Sequence, residues 1–154
     1  MTNKILVAID KTGLSPLVVD ALVQRALPSE TEVLLLQVVD PLIYSVPPEM
    51  SHGYAPELAA RQKESVDEAE RTLAEAAKML SIPGFKVDCR VVEGEIREGI
   101  ATVASEWSAN LIVVTSHART GVAKFLHRSV AEGVVHRAQC SVLVLKEAAV
   151  NAAA

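Results

Sequence analysis

Apolar residues fall along this chain in two alternating patterns. Four segments are nearly continuous apolar runs, which are typical of strands buried on both faces of a parallel sheet. They cover residues 4–9, 32–39, 111–114 and 141–145. A fifth segment, residues 85–92, alternates apolar and polar side chains, which predicts a half-exposed strand at the edge of the sheet.

Between these strands, apolar residues recur every three or four positions, which predicts amphipathic helices. The first helix begins at Ser15 and Pro16, a capping hydroxyl followed by the residue favoured at the first helical position, and it ends at residues 28–29. The second helix spans about residues 57–80, and the third follows Gly94. The predicted core faces are Val19, Leu22, Val23 and Ala26 in the first helix, Val66, Ala69, Leu73, Ala76 and Leu80 in the second, and Ile96, Ile100, Val103, Ala104 and Trp107 in the third.

A polar loop, residues 115–121, follows the strand at residues 111–114. Ser129 and Glu132 fit a capping box, so the last helix is predicted to begin at Ser129. Its inward face is predicted to carry Val130, Val134 and Ala138. The N–H groups and the dipole of a helix N-terminus favour an anion, so this loop and helix start are the first candidate binding site.

Strands and helices therefore alternate along the whole chain. This order predicts an α/β fold, an open, mostly parallel five-stranded sheet with helices on both faces, of Rossmann-like architecture. Residues 1–147 are expected to form one domain, followed by a tail at residues 148–154. Ligands of such sheets bind beyond the carboxyl ends of the strands, where the winding direction reverses. The candidates there are Asp10, residues 38–40 and the loop 115–129, while residues 40–56 form a long loop that is either a lid or surface disorder.

Composition narrows the range of partners. Aromatic residues make up 3% of the chain and the formal net charge is -4, which argues against stacking platforms for single strands and against a phosphate-backbone partner. The sequence shows no signal-peptide pattern and no apolar run long enough to cross a bilayer, so a cytoplasmic location without membrane contact is expected. Cys89 and Cys140 lack a Cys-x-x-Cys spacing and are predicted to be small buried apolar residues.

Several known classes of protein have the same alternation of strands and helices, but their functional motifs match this sequence poorly. A receiver-like phosphorylation domain would use Asp10, Thr115 and Lys146, but the further acids that hold Mg²⁺ are missing. A flavodoxin would need a hydroxyl-rich phosphate loop and flanking aromatics, and a hydrolase would need a Gly-x-Ser-x-Gly elbow. The histidines have no metal-ligand spacing. The sequence therefore predicts neither a catalytic residue nor a metal site.

Several segments together resemble the universal stress protein family along nearly the whole chain. They are KILVAID at residues 4–10 with Ser15 in the next turn, LLLQVVDP at residues 34–41, the Gly94 turn, SHARTG at residues 116–121 and RSVAEGVVHRAQCSVLVLK at residues 128–146. The resemblance implies a fold like that of the adenine nucleotide alpha hydrolases. It also implies a homodimer that pairs the closing strands and covers an otherwise exposed apolar edge. That edge comprises Val142, Leu143, Val144 and Leu145.

In the ATP-binding members of this family, the loop carries Gly, two residues, Gly, nine residues, Gly and then Ser or Thr. The pattern places its glycines at Thr115, Ala118 and Arg128 and its hydroxyl at Ser129, so all three glycines are replaced here. Side chains at these positions hinder close approach of the backbone to phosphate. Arg128 would fill the phosphate site or hold an anion with its own guanidinium.

The resemblance also matches Asp10 to a residue that meets the ribose and Val38 to a backbone contact with adenine. Asp10 has a second interpretation from the residues alone, as a turn residue that caps local N–H groups. The remaining predicted binding residues belong to the loop and the helix start. They are Ser116, His117, Arg119 and Val130.

Two hypotheses of different class follow. The first, favoured by the replaced glycines, is a non-enzymatic homodimeric stress-response protein that binds no ATP and works through protein partners. The second is a nucleotide-binding sensor that takes ATP or AMP as its ligand, with slow ATP turnover or none. It would use Asp10, Ser116, Ser129 and the altered loop.

Overall fold

The computed structural model describes residues 2–25, 30–42, 46–117 and 122–147, with side chains for all of them except residues 51, 117 and 122–129. The strands are β1 (Asn3–Ala8), β2 (Thr31–Val39), β3 (Phe85–Glu93), β4 (Leu111–His117) and β5 (Ser141–Glu147). The helices are α1 (Pro16–Arg25), α2 (Pro48–Ser51), α3 (Ala55–Met79), α4 (Ile96–Glu106) and α5 (Val122–Arg137). The predicted alternation is confirmed, with the short α2 as an addition.

The strands form one parallel sheet in the order β3-β2-β1-β4-β5. The central strand β1 pairs with strands from both halves of the chain, since Ile5 lies opposite Val33 of β2 and opposite Leu111 of β4. The predicted open parallel sheet of five strands is therefore confirmed. The edge position of β3 also agrees with its alternating sequence.

Each face of the sheet is covered by helices and has its own core. Ile5 and Val7 of β1 face one core, which includes Leu22 of α1 and Leu73 of α3. Leu6 of β1 faces the other core, which includes residues of α4 and α5. Alternate residues of a strand point to opposite faces, so apolar residues at every position of β1 and β2 serve both cores. The predicted inward faces of the second, third and last helices agree with the buried residues Ala69, Leu73, Ala76, Leu80, Ile100, Val103, Ala104 and Val134.

Two predicted boundaries around the candidate loop are wrong. β4 does not stop at Val114 but continues to His117, because residues 115–117 pair with residues 145–147 of β5. The last helix begins at Val122 and not at Ser129. A Ser followed three residues later by Glu fits a helix interior as well as a capping box. The expected anion site at a helix terminus on Ser129 is therefore not supported.

The core face of α1 is rotated from the predicted one. Val18, Ala21 and Leu22 are buried, whereas Val23 is 48% exposed. Apolar residues occupy most sides of α1, so a spacing of three and four residues is compatible with two different buried faces. The spacing alone does not distinguish these two faces. Val19 packs partly against the core as predicted, and Ala26 lies outside the described residues.

The cysteine prediction is wrong for Cys89. Cys89 is exposed on the edge strand β3, and its Sγ lies 3.6 Å from the carbonyl oxygen of Leu73. Cys140 is half-buried against the core beneath α4 and α5. Burial raises the pKa of both thiols. An edge strand leaves part of its surface uncovered, which explains the exposure of Cys89.

The segment 40–56 is shorter as a loop than predicted, because α2 lies within it and α3 begins at Ala55. Residues 43–45 lie outside the described residues. In the described ranges, no helix combines the length and the apolar character needed to cross a membrane.

Candidate functional site

The winding direction of the sheet reverses beside β1. From β1 the chain moves to β2 and β3 on one side and then returns to β4 and β5 on the other. Parallel sheets open a crevice at the carboxyl ends of the strands at such a point. Here it consists of two adjoining cavities that share six lining residues, among them Asp10, Asp40 and Ile96. We call the two together the switch-point crevice.

The first cavity lies on the α3 side of the sheet and has a volume of about 260 Å³. The ends of β1 and β2 form its floor, and α3 forms one wall with Ser65, Glu68 and Ala69. Gln37 and Val38 of β2 both line it. This α3-side cavity has mainly hydrogen-bond acceptors among its polar groups, because carboxylates outnumber the single ammonium of Lys11.

The second cavity lies on the α4 side and has a volume of about 440 Å³. Thr115 of β4 and Val130 of α5 line it opposite Glu95 and Arg97 at the start of α4. This α4-side cavity therefore contains a guanidinium among carboxylates. Among the described residues, no cluster of three or more His, Cys, Asp or Glu side chains is arranged to hold a metal ion.

Asp10 stands in the turn between β1 and α1 and belongs to both cavities. Its Oδ1 accepts a hydrogen bond from the backbone N–H of Thr12 at 2.8 Å and another from the Thr12 hydroxyl. Gly13 completes the turn with a positive φ of 82°, a conformation that glycine adopts without strain. The turn-capping interpretation of Asp10 is confirmed, and the turn also holds the carboxylate at the crevice.

A short connection brings the charged side chains of Glu95 and Arg97 to the crevice beside Asp40. The N–H of Gly94 donates to the carbonyl of Val39, which places the start of α4 beside the end of β2. Glu95 caps α4, since its Oε2 accepts from the N–H of Glu98 at 2.7 Å. Its Oε1 accepts from Nε of Arg97 at 2.6 Å. Arg97 is thereby held at the mouth of the α4-side cavity.

The two carboxyl groups in this cluster differ in acidity. Burial raises the pKa of Asp40, and the Glu95 carboxylate raises it further against a smaller lowering by Arg97. Burial also opposes ionisation of Glu95, but hydrogen bonds from the Glu98 N–H and from Arg97 outweigh it and lower the pKa of Glu95. The two pKa shifts therefore have opposite signs: the fold disfavours the ionised form of Asp40 and favours that of Glu95.

Two helix glycines allow close packing around the crevice. A Cβ on Gly99 of α4 would lie 2.9 Å from Cγ1 of Val38, so this glycine lets the end of β2 pack directly against α4. A Cβ on Gly133 of α5 would lie 2.2 Å from Cδ of Arg97, so the stem of that arginine crosses α5 at this position. Both contacts are made by side chains that line the crevice.

One amide side chain of α3 holds the outer border of the α3-side cavity. Oε1 of Gln62 accepts from the N–H of Leu42 at 2.9 Å, and its Nε2 donates to Oε1 of Glu93 at 2.7 Å. Gln62 therefore connects the segment after β2 to the end of β3. Leu42 lines the α3-side cavity in that position.

The structure brings some of the predicted binding residues together. Those that line the switch-point crevice are Asp10, Val38, Thr115 and Val130. Ser116 and His117 continue β4 beyond Thr115, opposite Lys146 and Glu147 of β5. Arg128 and Ser129 lie within α5, where only their backbone is described, and Ala118 and Arg119 lie outside the described residues.

Gln37, Glu95 and Arg97 are among the crevice residues that sequence reasoning missed. Gln37 was visible as the polar residue within the apolar run at residues 32–39. Glu95 and Arg97 follow Gly94, in the first turn of a helix that begins at the carboxyl end of a strand. A polar residue in a buried strand and charges at a strand end are the signals that would have indicated them.

Comparisons with known proteins identify relatives of this chain. The model of the Universal stress protein family matches residues 1–146. Universal stress protein YxiE of Bacillus subtilis is 28% identical over 148 residues, which cover 95% of this chain and 100% of that protein. Universal stress protein MJ0531 of Methanocaldococcus jannaschii is 35% identical over 81 residues. This match covers 53% of the chain and 48%, about half, of that protein.

Solved structures share the architecture. The structure of protein MJ0577 of Methanocaldococcus jannaschii is 27% identical with a TM-score of 0.72, over 95% of this chain and 96% of that one. A universal stress protein from Archaeoglobus fulgidus in complex with dAMP is 21% identical with a TM-score of 0.59, over 94% of this chain and 98% of that one. At that identity the second likeness shows the fold alone.

Proposed function

This chain belongs to the universal stress protein family, and from that premise we propose that its switch-point crevice binds an adenine nucleoside monophosphate. In this proposal the protein is a non-catalytic, nucleotide-responsive stress protein that acts as a homodimer. The adenosine part of the ligand lies against the ends of β1 and β2. The single phosphate lies toward the α4-side cavity.

The observation that carries the proposal is the position of Asp10 and Val38 on one crevice. Asp10 lies at the border of both cavities, and Val38 lines the α3-side cavity beside it. The family resemblance matches these two residues to the ribose and adenine contacts. A carboxylate accepts hydrogen bonds from ribose hydroxyls, and a strand end offers backbone groups to a base edge. Both residues therefore support binding of the nucleoside half of the ligand at this crevice.

The residues available for the phosphate part of the ligand favour a monophosphate over a triphosphate. In the sequence, Thr115, Ala118 and Arg128 stand where the ATP-binding members carry glycine, and in general any residue other than glycine hinders close approach of a phosphate chain to the backbone. Arg97 offers a guanidinium at the α4-side cavity, and a guanidinium pairs well with a single phosphate. The solved relative from Archaeoglobus fulgidus is described in complex with dAMP, also a monophosphate.

The carboxylates at the crevice support binding without turnover. Oδ1 of Asp10 accepts hydrogen bonds from Thr12, and both oxygens of Glu95 accept from residues of α4. Such bonds hold these carboxylates in place as structural groups. Adenine nucleotides are abundant in the cytoplasm, and the proposal places the protein there.

The homodimer in the proposal pairs the exposed edges of two β5 strands. β5 is an edge strand, and its apolar residues Val142, Leu143, Val144 and Leu145 are half-buried within one chain. The unpaired backbone groups of an apolar edge strand can pair with another strand, and a second copy of the chain has the same exposed edge. Protein partners would then recognise the nucleotide-loaded dimer.

The test is a calorimetric titration of nucleotide-stripped protein with AMP and, separately, with ATP and Mg²⁺. We expect saturable AMP binding of micromolar strength, about -8 kcal/mol, and no tighter binding of ATP. Asp10→Asn keeps an oxygen for the Thr12 turn but removes the charge. It should weaken AMP binding on the order of tenfold.

The matched control is Asp88→Asn on the edge strand β3, where the carboxylate accepts a hydrogen bond from the N–H of Cys89. This variant should bind AMP like the wild type. Absence of any heat with AMP would contradict the proposal and favour a partner-binding scaffold without nucleotide. Phosphate release from ATP that disappears in Asp10→Asn would contradict the non-catalytic part.

A further inference from the structure

Gln37 is a polar side chain in a strand that is otherwise built for burial. On β2, Val33 and Leu35 face the core beneath α1 and α3, and Gln37 follows them on the same face. Its side chain is 6% exposed. Within the described part of the chain, Thr31 at the other end of β2 is the only further polar residue buried to this degree.

The carbonyl oxygen of the Gln37 amide lacks a hydrogen-bond donor in the part of the chain that the structure describes. This oxygen, Oε1, is buried. A buried acceptor without a donor destabilises the folded state, and a leucine at this position would carry no such penalty. Residues that break a local rule in this way are expected at functional sites. The retained amide therefore points to a donor that arrives with a ligand.

Gln37 borders the α3-side cavity together with Val38, Asp10 and Asp40. An amide carries one acceptor and one two-proton donor, and a half-turn about its last bond exchanges the two. Either group can thereby be presented on the side that borders the cavity. The carboxylates of the same cavity accept hydrogen bonds, so its polar groups together favour a ligand that donates N–H groups.

We infer that Gln37 selects adenine among the purines, by accepting a hydrogen bond from the 6-amino group and donating one to N7. This inference rests on the proposed function. A glutamine amide forms this pair of bonds with the N6/N7 edge of adenine. Hypoxanthine presents acceptors at both O6 and N7, so neither orientation of the amide forms both bonds with it. Gln37 is thus a specificity-determining residue.

The test compares AMP with IMP on the wild type and on Gln37→Leu by calorimetric titration. The wild type should bind AMP more tightly than IMP by a factor between about fivefold and a hundredfold. In Gln37→Leu the AMP affinity should fall to near that of IMP, so the ratio approaches one. The midpoint of thermal unfolding of Gln37→Leu should equal or exceed that of the wild type, because the unpaired acceptor is gone.

The matched control is Thr31→Val, which removes the other buried polar group of β2, at the opposite end of the strand. It should leave the ratio of the AMP affinity to the IMP affinity unchanged. A ratio that persists in Gln37→Leu would overturn the inference while the proposed function stands. A wild type that binds no nucleotide would overturn both. If Gln37→Leu does not fold, the wild type is titrated with 7-deaza-AMP, which lacks N7, and equal affinity for it and AMP would overturn the inference.

Discussion

The carboxyl groups of Asp40 and Glu95 show how a single connection sets the properties of individual residues. Asp40 follows β2 and Glu95 precedes α4, and the hydrogen bond from Gly94 to Val39 joins these two segments so that both carboxyl groups border the α4-side cavity. Asp40 has a raised pKa because of burial and the Glu95 charge, while hydrogen bonds lower the pKa of Glu95. The ionised form of Asp40 therefore destabilises the fold, whereas the ionised form of Glu95 stabilises it.

Asp40→Asn should increase the free energy of unfolding at neutral pH. The folded-state pKa of Asp40 lies above its ordinary value of 3.8, so the ionised form destabilises the fold above the folded-state pKa. The gain from Asp40→Asn should shrink as the pH falls through the folded-state pKa and level off below 3.8. Urea unfolding of wild type and variant between about pH 3 and pH 7 measures this.

Glu95→Gln should lower the free energy of unfolding at neutral pH, which is opposite to the effect of Asp40→Asn. The pKa of Glu95 is lowered in the fold, so its ionised form stabilises the fold above the ordinary value of 4.5. The wild type should be more stable than Glu95→Gln at neutral pH, and this advantage should disappear as the pH falls below 4.5 through the folded-state pKa. A stability difference that is constant over the same pH series would contradict the lowered pKa.

At the level of single residues, the sequence predicted Asp10 and Val38 because strand ends at a switch point are recognisable from the order of elements. It did not indicate that Glu95 and Arg97 face the same cavity. Their position depends on the hydrogen bond from Gly94 to Val39, which joins segments far apart in the chain. Such a contact leaves no periodic pattern in the sequence.

Among the elements, α4 packs closely on the sheet at Gly99. Of the described glycines, Gly99 has the shortest distance between the position of an added Cβ and a residue of the sheet. Val38 is 9% exposed and is branched at Cβ. Both of its methyl groups lie within 3.1 Å of the position that a Cβ on Gly99 would occupy. It therefore has little freedom to move aside. The packing of α4 on β2 is set by the absence of one side chain.

Gly99→Ala should lower the free energy of unfolding by roughly 1 kcal/mol, because the overpacking cost exceeds the gain in helix propensity. Val38→Ala in the same chain should recover part of that loss, so the two changes should not be additive. Chemical denaturation of both single variants and of the double variant tests this coupling.

Gly133→Ala is the matched control, because its neighbour is the long side chain of Arg97 and not a branched residue of the sheet. Arg97 can take another rotamer, so the stability should stay within about 0.5 kcal/mol of the wild type. A loss in Gly133→Ala as large as that in Gly99→Ala would contradict this explanation.

The boundaries of β4 and α5 show where element prediction from sequence reaches its limit. The strands and most helices followed from periodicity, since burial on a sheet face or under a helix imposes a regular spacing. Residues 115–117 are polar and became strand only because β5 lies beside them. The start of α5 was misplaced because a capping motif and a helix interior share the same residue spacing.

For the whole molecule, the exposed edge of β5 determines how two copies can associate. Val142 and Val144 pack partly on one core and Leu143 and Leu145 on the other, so the strand is covered on its faces but not along its edge. Pairing of two such edges would extend the sheet across both chains.

Val144→Lys should convert the proposed dimer to a monomer, because a charge beside the twofold axis would be desolvated against a second copy of itself. Sedimentation equilibrium measures the assembly, and circular dichroism shows whether the variant keeps its helices. Val135→Lys is the control, since Val135 is 50% exposed on α5. A Val144→Lys variant that still sediments as two chains would place the dimer interface elsewhere.

The central position of β1 also has a consequence for synthesis on the ribosome. β1 is made first, and β2 and β3 can join it on one side while the rest of the chain is still being translated. Its other edge stays open until Leu111, Ile112 and Val113 emerge to pair with Ile5, Leu6 and Val7. The nascent chain therefore exposes one edge of an apolar strand until β4 has been translated, and we expect chaperones that bind extended apolar segments to engage it in that interval.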